Sequence, residues 1–110
     1  MARSFVFIFR QGSRKLAEDE QKQRTEEVRE WALKQVKDGR GLDPRILGEE
    51  SLRLGDGSIA INERSVIAFN FIEATDFSDA VKIAESHPGL RYGVNIEVRP
   101  WIDPRASKTQ

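Results

Sequence analysis

The chain has 110 residues, which fits one domain with a single modest core; a chain this size buries roughly 65% of the surface its unfolded form exposes. Eighteen basic and eighteen acidic side chains cancel at pH 7, so no net field draws the chain onto nucleic acid or an anionic membrane. The absence of cysteine excludes disulfides, thiolate metal sites and cysteine nucleophiles, and a single histidine excludes a multi-histidine metal centre within one chain.

Phe5-Val6-Phe7-Ile8-Phe9 is the longest apolar run, far short of the ~20 residues a membrane helix needs. It reads as a strand with Phe5, Phe7 and Phe9 on one face and Val6 and Ile8 on the other, and apolar residues on both faces predict a strand covered on both sides. Met1-Ala2-Arg3-Ser4 carries no apolar signal stretch, which makes the cytoplasm the expected location.

A long helix is expected from Ala17 to Asp38, with Gly39 ending it. Its second half carries Val28, Trp31, Ala32, Gln35 and Val36 along one stripe. The first half, Glu18 to Glu27, has no apolar stripe. It offers opposite charges at neighbour spacing (Glu18 with Lys22, Glu20 with Arg24, Glu26 with Arg29), each pair worth ~0.2–0.5 kcal/mol. This half reads as a solvated first stretch of helix.

Gly39 to Gly48 reads as a connector containing Asp43-Pro44. A hairpin is expected next, with strands at Ser51–Leu54 and Ser58–Asn62 joined by Gly55-Asp56-Gly57. Those glycines form a turn rather than a phosphate loop, since no lysine-serine pair follows them. The strongest strand is Val66 to Glu73. Asp76 then caps a second helix with Phe77, Ala80, Val81 and Ala84 on its apolar stripe, and Pro88-Gly89 stops it. The last strand, Val94 to Trp101, sets Val94, Ile96 and Val98 against Asn95, Glu97 and Arg99. Residues 4–101 form the domain and 102–110 an untethered, flexible tail.

Strand, helix, hairpin, strand, helix, strand is an α+β order close to a ferredoxin-like split βαβ arrangement with an antiparallel sheet. Helices cover only one face of such a sheet. The other face still carries large apolar side chains, so a homodimer in which two sheets meet is expected.

Asn95, Glu97 and Arg99 share one face of the final strand, and Asn70 interrupts a face of its expected neighbour. Covered by a second sheet, these residues would floor a polar pocket, with Glu97 as acid or base and Arg99 or Arg10 as an anion anchor. The plainer alternative is an ion pair at an interface or on a wet face. His87, the one side chain that titrates near neutrality by default, is the other acid/base candidate. Its plainer alternative is an exposed helix-end residue facing loose carbonyls. Tyr92 and Trp101 read as edge packing or the rim of a pocket. No metal or cofactor is expected, because no acidic cluster has ligand spacing.

From Ser4 to Trp101 the chain resembles the YCII-related (DGPF-domain) family of small α+β proteins. The resemblance rests on Phe69-Asn70-Phe71-Ile72-Glu73-Ala74, the Asp76–Ala84 helix, His87-Pro88 and the run Val94 to Pro100. Arg10-Gln11-Gly12 followed by a helix with Trp31 adds to it. It implies a dimeric α+β barrel and, for some members, lyase-type steps on chlorinated aromatic breakdown products. The family's proposed catalytic pair is a first-helix histidine and an aspartate before a proline. Here the first helix lacks a histidine, His87 stands at the aspartate's place, and Asn62-Glu63-Arg64-Ser65 replaces the Asp-Gly-Pro-Phe loop.

Three functions follow as expectations. The first is a cofactor-independent lyase or isomerase of small acidic organic molecules, using His87 and Glu97 with Arg10, Asn70, Asn95 and Arg99 binding substrate. The second is a non-catalytic ligand-binding or accessory dimer. The third, an RNA-binding sheet, is disfavoured by neutral charge and by a final strand without a stacking pair.

Overall fold

A computed structural model describes residues 3–50, 52, 54–55 and 66–105. The described strands are β1 (Arg3–Arg10), β2 (Asp43–Ile46), β3 (Val66–Ala74) and β4 (Asn95–Pro100). The helices are α1 (Glu18–Lys37) and α2 (Phe77–Glu85), and a 3-10 turn spans Pro88–Tyr92. The strands form one antiparallel sheet in the order β2-β3-β1-β4. Two helices against a four-stranded antiparallel sheet in this order are compatible with the ferredoxin-like α+β arrangement.

Register decides the faces. Phe5, Phe7 and Phe9 lie opposite Ile72, Asn70 and Ala68 on β3 and opposite Pro100, Val98 and Ile96 on β4, so these residues share the helix-covered face. The core gathers there: the three phenylalanines, Ile72 and Ala74 from the sheet, Trp31 from α1, and Ala80, Ile83 and Ala84 from α2. Deleting a buried phenylalanine from such a cluster costs about 3–5 kcal/mol.

The second face carries Val6, Ile8, Phe69 and Phe71 beside Glu97 and Arg99. Phe69 and Phe71 stack with ring centroids 6.4 Å apart. The Trp101 N–H donates to the Ser4 carbonyl at 2.9 Å, and the indole meets Phe71 at 4.8 Å. Phe71 lies on β3 and Trp101 follows β4, on either side of β1, so this ring contact crosses β1 on the face where Val6 is buried.

β2 departs from the expected connector. Asp-Pro-Arg-Ile has no alternation, and only pairing with Phe71 to Ala68 makes it a strand. A proline is tolerated at a sheet edge, where its missing N–H can face outward. The expected hairpin lies largely outside the described residues, as does the tail beyond Arg105. Both helices match expectation to within a residue or two, and Gly39 follows α1 with φ 78°. The Asp76 side chain caps α2, accepting from the Asp79 N–H at 2.8 Å.

The charge pairs expected along α1 are replaced by longer-range ones. Glu20 pairs with Arg14 and accepts from the Ala17 N–H at 3.1 Å, while Glu27 takes Arg91 and the Tyr92 hydroxyl, the latter at 2.7 Å. These contacts fasten α1 to the loop after β1 and to the 3-10 turn. No described helix is long and apolar enough to cross a membrane.

Candidate functional site

The polar first half of α1 cannot bury itself on a sheet, and α1 packs chiefly against the Pro88–Tyr92 turn. Between it and the β2–β3 side of the sheet lies a cavity of about 370 Å³. Phe9, Val28, Ile46, Ala68 and Val94 make it largely apolar. Two buried polar side chains, His87 and Asn70, line the same space, with relative exposures of 8% and 7%.

Three constraints hold His87. It sits beyond the end of α2 and caps the 3-10 turn, its Nδ1 accepting from the Gly89 N–H at 2.9 Å. The ring lies 5.0 Å from Phe9 and 4.6 Å from Trp31, the latter edge-on. Trp31 is held in turn, donating from Nε1 to Ser86 Oγ at 2.8 Å, while Ser86 donates to the Ile83 carbonyl at 2.6 Å. A Cβ at Gly89 would come within 2.9 Å of Nδ1, so a residue without a side chain is required under the ring. The plain expectation of an exposed helix-end histidine is therefore corrected. The 3-10 turn folds the imidazole inward, and helix-end position alone does not reveal this.

Burial pushes the His87 pKa down to about 4. The ring is neutral at pH 7 and, because Nδ1 accepts, its proton is on Nε2. It offers the cavity a donor. Asn70 offers the complement: its Oδ1 is buried and has no hydrogen-bond partner. A buried acceptor left unpaired costs about 1–3 kcal/mol, which a bound group or water would recover.

The remaining predicted site residues lie elsewhere. Glu97 and Arg99 are on the opposite face from His87 and Asn70, since they pair in register with Ile8 and Val6. Arg10 reaches Glu97 at 3.2 Å and Arg99 reaches it at 3.5 Å, so Glu97 is bracketed by two guanidinium groups. Asn95 is exposed at the start of β4, opposite Arg10. Asn70 does not join that group, because β1 separates β3 from β4 and the alternation turns Asn70 toward the helices.

Sequence reasoning missed the residues at the cavity mouth. A second hollow of about 590 Å³ shares Arg24, Ile67 and Val94 with the first and adds Arg14, Lys15 and Gln21. Gly12 forms part of its wall and lies so close to Gly93 that a Cβ there would stand 1.8 Å from the Gly93 carbonyl oxygen. The one available signal was the lack of an apolar stripe over Glu18–Glu27, which implied a helix face with something other than core beneath it. Among the described residues no group of three or more His, Asp or Glu side chains could hold a metal ion. No protein-family model matches the chain, and no curated protein matches it.

Proposed function

We propose that this chain is a YCII-like protein that binds a small acidic organic molecule in the His87–Asn70 cavity without turning it over. The observation that carries this reading is the convergence of two buried polar side chains, one a donor and one an unpaired acceptor, on one apolar space. Pockets of this kind, apolar with a few fixed polar groups, suit small ligands. Arg24 lines the same cavity, and among the described residues no carboxylate does, which favours an anion.

What supports binding over lyase or isomerase chemistry is the position of the candidate acid and base. His87 and Glu97 face opposite sides of the sheet, and Nδ1 of the histidine is already occupied. A general acid–base pair has to reach one substrate, and side chains on opposite faces of a sheet do not share one.

The reading includes a homodimer through the open sheet face. Its support is the apolar strip Val6, Ile8, Phe69 and Phe71, bordered by both charge signs at Arg10, Glu97 and Arg99. An isologous interface needs such a self-complementary patch.

The test is a screen of small carboxylic acids followed through the ring-proton NMR signals of the single histidine. Binders are expected to shift those signals saturably and to emerge chemically unchanged. Binders that leave them untouched would remove the cavity from the function, and conversion of a binder would replace binding by catalysis. Light scattering at micromolar concentration should return twice the 12.5 kDa chain mass. A monomer would end the dimer reading.

A further inference from the structure

The cavity and the basic hollow are two ends of one cleft, joined at Arg24, Ile67 and Val94. The deep end asks for one chemical group. The His87 Nε2–H needs an acceptor, and Asn70 Oδ1 needs a donor. A hydroxyl is the small group that can accept one hydrogen bond and donate another. A carbonyl would leave Asn70 unpaired, and an amine in its protonated form, the usual one at pH 7, would leave the imidazole N–H unpaired.

The cavity around that pair is apolar, walled by Phe9, Val28 and Val94, and Val94 continues into the second hollow. The outer end is cationic. Arg14 is engaged by Glu20. Among the described residues Lys15 and Arg24 make no ion pair, and Glu49 is the one acidic side chain lining either hollow. The helical spacing that would pair Arg24 with Glu20 goes unused because Glu20 turns back to Arg14 and the Ala17 N–H. Arg24 is thereby left at the junction of the two hollows.

Resting on the ligand-binding reading above, we propose that the ligand is a hydroxylated apolar acid, its hydroxyl between His87 and Asn70 and its carboxylate at Arg24 and Lys15. The order of the cleft, donor–acceptor pair, apolar wall, cation, is the order of groups along such a molecule. An aryl or branched aliphatic body fits the walls equally in kind. The two polar ends set the specificity, because leaving a buried polar group unpaired costs more than losing apolar contact.

Three probes separate the contributions: 3-(4-hydroxyphenyl)propionate, 3-phenylpropionate without the hydroxyl, and 4-ethylphenol without the carboxylate. Each is titrated into the full chain while the His87 ring protons and the Trp31 indole N–H are followed by NMR. The hydroxy acid is expected to bind about tenfold more tightly than either of the others. Asn70→Leu should abolish the advantage of the hydroxyl and leave phenylpropionate within about twofold. Arg24→Gln, on the helix surface and outside the core, should abolish the advantage of the carboxylate and keep that of the hydroxyl.

Equal affinity for all three probes, with the His87 signals still moving, would overturn this inference and leave the binding cavity standing. That result would mean a water satisfies Asn70. No saturable shift with any probe up to about 10 mM would overturn both readings.

Discussion

Acid should destabilise this protein through His87 in a definite window. The imidazole is buried against Phe9 and Trp31, and its pKa falls from 6.5 to about 4. Above pH 6.5 the ring is neutral whether the chain is folded or unfolded, and it adds no pH dependence. Below 6.5 the unfolded chain takes up a proton that the folded chain refuses, so stability falls as pH falls. The loss is complete near pH 4, where the folded ring also protonates. At 1.36 kcal/mol per pKa unit the whole loss is about 3 kcal/mol, and about 2 kcal/mol of it is reached by pH 5. Charges do not rescue the imidazolium: Arg24 lines the same cavity, and among the described residues no carboxylate does.

The assay is urea unfolding at pH 7, 6 and 5, comparing the natural chain with His87→Asn. The asparagine oxygen can still accept from the Gly89 N–H, so the variant keeps the cap and loses the titrating ring. Titrations of carboxylates such as Glu27 and Asp79, which hydrogen bonds from Tyr92 and the Thr75 N–H hold below their usual range, occur in both proteins and cancel. The natural chain should lose about 1 M more in urea midpoint between pH 7 and 5 than the variant does. Parallel losses would refute the reasoning, as would a histidine pKa within about half a unit of 6.5 by NMR.

The other expectations concern how the site is held. Gly12→Ala sets a methyl against the Gly93 carbonyl and should cost about 1–3 kcal/mol in thermal or urea unfolding; an unchanged midpoint would show that the two loops do not touch. Gly89→Ala pushes on the His87 ring and should move its proton signals and its pKa back toward 6.5 as the ring is displaced outward. An unchanged histidine spectrum would contradict the packing under the ring. Asp76→Ala removes the cap of α2 and should lower stability by about 1 kcal/mol without moving the His87 signals, a control separating helix stability from the site.

The two helices, three of the four described strands and the apolar face of β1 were legible in the sequence, because each follows from local periodicity and capping. A strand of alternating phenylalanines specifies its own faces, and an aspartate before a short apolar stripe specifies a helix start. β2 was not legible. Its four residues have no strand pattern of their own and are held by pairing along β3. The grouping of Asn95, Glu97 and Arg99 on one face was also readable, being a matter of period alone.

Which of these faces meets which is a different kind of information. Asn70 reads as a defect in an apolar strand, and only the register with Phe7 turns it toward the helices. His87 reads as a helix end, and only the 3-10 turn, with Gly89 beneath the ring and Trp31 beside it, buries it as a neutral donor. Arg24 reads as half of a local ion pair with Glu20, and only the fold gives that partner to Arg14 instead. Periodicity along a chain sets which side chains lie together on one element. Long-range contacts decide which elements share a cavity and whether a titrating group keeps its water, and those decisions made the site.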